Sequence, residues 1–205
     1  MRKACCCIAA VILLLSNTAM ADSLAGRMGL TLHGGFRIAA DNDFSGVLTG
    51  PTIDSDTGYV VGGGLIFGLN ENVASEIEIL YSQNDMNVSG VKFGEAKTVD
   101  LSFGLQYRFN PRMQVVPYVG AGMNVIFPDI TIEPGYFLET HTDTDASFGG
   151  HLKAGVDFFI APNLAFTGEL QGTLATKVDV KQEGEIGLTY NPSNFSGLFG
   201  VRFIF

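Results

Sequence analysis

Ten ionisable side chains recur at every-second-position spacing inside otherwise apolar segments: Arg37, Glu76, Glu78, Asp100, Arg108, His151, Lys153, Asp157, Glu169 and Arg202. With His33 they supply carboxylates, cations and imidazoles, the groups from which ion pairs, polar conduits and acid–base centres are built. Catalysis needs more than these residue types. The sequence holds no Gly-x-Ser-x-Gly elbow, no His-Glu-x-x-His pattern and no Ser-His-acid order, so neither His33 nor His151 reads as a catalytic base. The three histidines lie on separate segments and do not make a metal site. Gly34-Gly35, Gly62-Gly63-Gly64 and Gly149-Gly150 lack the spacing and the following helix of a phosphate-binding loop; they read as small residues that ease curvature and crowding. No cofactor is expected.

The elements that must position these groups are strands. Val99, Leu101, Phe103, Leu105, Tyr107 and Phe109 alternate with Thr98, Asp100, Ser102, Gly104, Gln106 and Arg108. Such strict period-two alternation gives a strand two faces in different surroundings. Eight segments of this kind can be counted. Met28 to Ile38 sets Arg37 behind an apolar face, Tyr59 to Leu69 sets glycines behind one, and Ile77, Ile79 and Tyr81 oppose Glu76 and Glu78. Gln114 to Ile126 is ambiguous in its facing, with Val119, Ala121, Met123 and Val125 favoured outward. Phe148 to Ile160 carries His151, Lys153 and Asp157 on its inner face, and Leu164 to Leu174 carries Glu169. The eighth runs Phe195, Gly197, Phe199, Val201, Phe203, Phe205, with Arg202 between. Turns near residues 71, 111 and 162 are short; the segments near 40–57, 83–97, 127–146 and 175–192 read as long loops. Pairing the sixth and seventh segments about Pro162 puts Lys153 opposite Gln171 and Gly155 opposite Glu169, which makes Lys153 and Glu169 diagonal neighbours.

The two ends of the chain say where this sheet resides. Arg2 and Lys3 precede a short apolar run, Ala4 to Leu15, and Ala19-Met20-Ala21 is a small-x-small cleavage site, so residues 1–21 read as a cleaved secretory signal and residues 22–205 as one domain. Cys5, Cys6 and Cys7 would leave with the signal, which excludes disulfides and thiolate sites from the mature chain. At the other end, an aromatic last residue on the apolar face is natural where that face meets lipid. The 205 residues carry 12 Lys and Arg against 21 Asp and Glu; loss of Arg2 and Lys3 with the signal leaves 10 bases against the same 21 acids, a charge of −11 that argues against a nucleic-acid partner. No stretch after the signal approaches the length of a membrane helix. Even strand number, short turns on one rim and long loops on the other describe an all-β, eight-stranded antiparallel up-and-down transmembrane β-barrel. A barrel of that size has an interior that side chains can fill. The ten ionisable residues then form either a hydrogen-bonded, water-containing plug of ion pairs or a narrow polar pathway for ions or small solutes. Of the long loops, the first holds Asp41, Asp43, Asp54 and Asp56 and the third Asp129, Glu133, Glu139, Asp143 and Asp145, both without a base. His141 to Asp145 offers oxygens to calcium without the full loop pattern; a solvated, soluble rim is the other reading.

The signal, the eight alternating strands, Pro117-Tyr118-Val119-Gly120-Ala121-Gly122 and the terminal Gly200-Val201-Arg202-Phe203-Ile204-Phe205 resemble the small outer-membrane β-barrel superfamily, which includes opacity-type surface antigens and OmpA- and OmpX-type eight-stranded barrels. The resemblance implies a cell outer-membrane location, contact with outer-membrane lipid and lipopolysaccharide, and passage by periplasmic chaperones. It makes Gly200, Phe203 and Phe205 the assembly signal read by the barrel-insertion machinery. Members include adhesins, structural proteins, narrow channels and a few lipid-A-modifying enzymes. The preferred expectation is a non-enzymatic surface barrel serving envelope structure, adhesion or antigen display, with host surface molecules as candidate partners. The alternative is a narrow channel for small or apolar solutes similar to OmpW-type barrels. A lipid A deacylase would need a His, a Ser and an acid grouped at a membrane-facing site.

Overall fold

The computed structural model describes residues 24–40, 53–55, 57–88, 91–132, 146–180 and 188–205. Eight long strands account for most of them: β1 (Met28–Ala39), β2 (Gly58–Gly68), β3 (Val73–Val88), β4 (Val91–Arg108), β5 (Val115–Ile132), β6 (Ser147–Ala161), β7 (Leu164–Ala175) and β8 (Asn194–Ile204). Each pairs antiparallel with its sequence neighbour from β1 to β7, β8 pairs with β7, and β1 closes the ring against β8 through Leu32 opposite Val201. Ile53–Ser55 adds a short pairing onto the far end of β3, and Val178–Val180 pairs with Leu188–Tyr190. The fold is a closed eight-stranded antiparallel barrel. A closed ring leaves no strand edge unpaired, which is the condition for a sheet to stand in lipid. The expected signal, residues 1–21, lies outside the described residues, as do Asp41, Asp43, Asp56, Glu133, Glu139, Asp143 and Asp145.

Alternation settles the two faces. On β4, Phe103 and Leu105 are exposed while Ser102, Gln106 and Arg108 are buried, and the once-ambiguous β5 turns Val119, Ala121 and Met123 outward with Tyr118 and Asn124 inward. From Val99 to Phe109, one residue past β4, the outward apolar side chains span about 33 Å of strand, or about 25 Å of height at a tilt of about 40°. That height suits the hydrocarbon region of an outer-membrane barrel. Above it the outer face turns polar. Tyr59 and Tyr81 stand with ring centroids 6.3 Å apart, the Tyr59 hydroxyl donates to Gln83 Oε1 at 2.8 Å, and Gln83 Nε2 donates to Glu95 Oε2 at 3.1 Å.

The connection near 83–97 is not a long loop. β3 and β4 stay paired from Val73 opposite Tyr107 to Val88 opposite Val91, with one register shift between Met86 and Asn87. β5 likewise continues to Ile132, so Asp129 lies on a strand, opposite Lys97. Period-two patterning persists there, but polar residues occupy both faces, which hides the strand from a hydrophobicity reading; the polarity marks emergence from the membrane, not the end of pairing.

Candidate functional site: the filled bore

The bore is built in layers, beginning at the rim of short turns. There Leu24, just ahead of β1, meets Ile66, Ala74, Val116, Phe159, Ala165 and Ile204, each no more than 1% exposed. The chain before β1 is held in place by backbone bonds, Gly26 N–H to the Gly68 carbonyl at 2.8 Å and Gly68 N–H to the Arg27 carbonyl at 3.0 Å. Gly68 is required here, because a Cβ on it would lie 1.9 Å from the Leu24 carbonyl oxygen.

One level higher, the Asp157 Oδ2 atom receives two guanidiniums, Arg108 Nη2 and Arg202 Nη1, each at 2.7 Å. Both cations lie over the Tyr118 ring, at 5.9 and 5.4 Å from its centroid, and Arg202 Nε also donates to Thr31 Oγ1 at 3.0 Å. Such planar, charge-assisted contacts hold a shared carboxylate in register. The Tyr118 hydroxyl donates to Glu169 Oε2 at 2.9 Å and so links this level to the next. Gly155 makes room for that ring, since a Cβ there would lie 2.4 Å from Tyr118 Cζ.

The next level centres on Lys153. Its Nζ sits 3.1 Å from Glu78 Oε2 and 3.3 Å from Glu169 Oε2, and it also contacts Glu76 Oε1. Glu76 takes a further bond from Gln106 Nε2 at 3.3 Å, and His33 Nδ1 lies 3.7 Å from Glu78 Oε1. One ammonium thus serves three buried carboxylates. Its reach spans the bore, because Glu76 and Glu78 are on β3 and Lys153 is on β6.

Above this, His151 Nδ1 meets Asn124 Oδ1 at 2.7 Å, Asn124 Nδ2 donates to Asp100 Oδ1 at 2.7 Å, and Asp100 Oδ2 stands 3.5 Å from Arg37 Nη2. Arg37 also donates to Ser196 Oγ at 3.2 Å and to Ser82 Oγ at 3.0 Å. On the β1, β2, β3 and β8 side, Val60, Leu80 and Leu198 fill the space between the His33 and Arg37 levels. All ten residues singled out by spacing are buried, from Asp157 at 0% to Glu76 at 5% exposed. They divide into the Asp157, Lys153 and Asp100 groups.

Sequence reasoning named Lys153 and Glu169 as neighbours, and β6–β7 register does set Lys153 opposite Gln171 and Gly155 opposite Glu169. It did not find the contacts of Lys153 with Glu76 and Glu78 across the bore, the position of Tyr118 between two levels, or the apolar base. Inward Phe159 and Ile204 beside short turns were the available signal for that base. Gly200 faces inward, where a Cβ would lie 2.0 Å from the Leu32 carbonyl oxygen, while Phe203 and Phe205 face outward with ring centroids 6.3 Å apart. Phe205 N–H donates to the Met28 carbonyl at 2.8 Å, so the last residue seals the β1–β8 seam. Among the described residues, no group of three or more His, Cys, Asp or Glu side chains is placed to hold a metal ion.

A barrel of this strand number, with a lipid-height apolar wall and a charged filled bore, has a counterpart among known families. The outer membrane protein β-barrel domain model matches residues 7–203. The chain belongs to that family. It is an outer-membrane β-barrel protein. Among solved structures, the outer membrane protein OprG from Pseudomonas aeruginosa is similar at a TM-score of 0.67, with 15% identity over 90% of this chain and 99% of that one. Neisserial surface protein A is similar at a TM-score of 0.57, with 15% identity over 87% and 97%. Ail, the attachment invasion locus protein of Yersinia pestis, solved with the heparin analogue sucrose octasulfate, is similar at 0.53, with 11% identity over 88% and 99%. At these identities the likeness is one of fold. No curated protein sequence matches the chain.

Proposed function

We propose that the mature barrel, residues 22–205 after loss of the signal at 1–21, is a closed, non-enzymatic surface protein that stabilises the envelope and displays its long loops for adhesion or antigen contact. The supporting observation is the base of the bore: seven apolar side chains, each at most 1% exposed, fill the short-turn mouth beneath the ion-paired levels. An apolar, water-excluding layer opposes ion passage, because a charge crossing it would lose its hydration without a partner. Host surface molecules are the proposed loop partners. Periplasmic chaperones and the barrel-insertion machinery are the proposed assembly partners, the latter reading Gly200, Phe203 and Phe205.

Liposomes carrying the protein are expected to admit small sugars and salts no faster than empty ones; rapid swelling would favour the narrow channel, a reading supported by the polar middle of the bore. Deleting Phe205 tests the assembly half of the proposal. Processing of the precursor should continue while insertion fails, and a deletion variant that reaches the outer membrane at wild-type level would remove the terminal strand from its role.

A further inference from the structure

Among the described residues, the lipid-facing wall carries a depression in its short-turn half, about 490 Å³ in volume and lined on the outer face by Val73, Leu105, Tyr107, Val119, Ala121 and Leu152. Register explains the notch. Ala121 on β5 lies between Leu105 on β4 and Leu152 on β6, so a methyl group stands between two large side chains. One row nearer the rim, Val119 lies opposite Tyr107, and both side chains continue the wall of the notch towards Val73. A wall of this barrel meets lipid, so the natural filling for an elongated apolar notch is a hydrocarbon chain, held by contacts that a smooth wall cannot offer.

The rim beneath the notch supplies a headgroup match. Arg112, at the tip of the β4–β5 turn, pairs with Glu71, at the tip of the β2–β3 turn, with side chains 64% and 54% exposed. From Tyr107 to Arg112 is at most about 17 Å of chain, comparable to one leaflet of a hydrocarbon core about 30 Å thick. The short-turn rim of such barrels faces the periplasm, hence the inner leaflet. A guanidinium beside a carboxylate complements a phosphate beside an ammonium. We propose that the notch at Ala121 and the Arg112–Glu71 pair form a binding site for one zwitterionic, ethanolamine-type phospholipid of the inner leaflet, its acyl chain in the notch, its phosphate on Arg112 and its ammonium on Glu71.

Native mass spectrometry of the full mature barrel in detergent, with phosphatidylethanolamine, phosphatidylglycerol or lipopolysaccharide added separately, tests this. The wild type should retain a single phosphatidylethanolamine at activation energies that strip the other two. Ala121→Phe, which fills the notch from the lipid side, should lose that adduct. Arg112→Gln, on an exposed turn where folding is not at stake, should weaken it and narrow the preference over phosphatidylglycerol. Loss of the adduct in Ala121→Phe counts only if its unfolding temperature matches wild type; if that variant misfolds, Arg112→Gln decides. Equal retention by wild type and Arg112→Gln, an unselective series of adducts, preferential retention of lipopolysaccharide, or a dimer abolished by Ala121→Phe would each overturn the proposal, the last by giving the notch to a second copy of the chain.

Discussion

At the short-turn rim the bore is filled by Leu24, Phe159, Ile204 and their apolar neighbours, whereas one and two levels higher the cross-section is filled by charges gathered on Asp157 and Lys153. The two regions occupy the same barrel and reach similar burial, yet they respond to change differently. Apolar packing is non-directional, so a lost group costs its own transfer and cavity terms and a similar-sized replacement is tolerated. Buried ions are coupled. An intact group contributes little net stability, but removing one member strands its partners without water or counter-charge. The base therefore tolerates approximate shape, while the middle demands particular residues at particular positions.

The largest effect should come from Lys153→Met. It leaves Glu76, Glu78 and Glu169 without their common cation, at an expected cost of about 3–5 kcal/mol, measured by urea or heat unfolding in detergent micelles. A cost below about 1 kcal/mol, within the range of exposed bridges, would mean that water already solvates this level. Phe159→Ala, at the base, should cost about 3 kcal/mol and Phe159→Leu about 1 kcal/mol. That graded response, absent from the ionic level, is the sharpest contrast between the regions. A smaller effect than that of Lys153→Met is expected for Glu169→Gln, about 1–2 kcal/mol, because Lys153 keeps two carboxylates. Combining it with Lys153→Met should recover part of the larger loss, giving a coupling of about 1 kcal/mol or more in a double-mutant cycle. Zero coupling would mean that the 3.3 Å contact carries no energy.

What could be read from the residues follows the same division. Alternation on β1, β3, β4, β6, β7 and β8 marked the strands, their faces and the ten ionisable groups singled out by spacing, because period two in a two-environment sheet is a strong constraint. The Lys153–Glu169 neighbourhood was legible too, since the short turn at Pro162 fixes hairpin register. Contacts across the bore were not. Lys153 to Glu78 joins β6 to β3, which never pair, and only closure of the ring brings them together. Leu24 escaped notice because it precedes any periodic segment and enters the bore alone. The reach of β3 and β4 past the membrane was missed because Gln83, Glu95 and Lys97 put polarity on the outer face, where the pattern used to recognise a strand requires apolar residues.

Both regions converge on one claim, that the bore is shut by apolar side chains at its base and by ion pairs above. Single-channel recording of the purified protein in planar bilayers tests it most directly. Wild-type protein, shown to be inserted and folded, should give no steady conductance over a wide voltage range in concentrated salt, and Phe159→Ala should add at most brief, small openings. A large, steady, ohmic conductance from the wild type would contradict the closed barrel and establish a channel in its place.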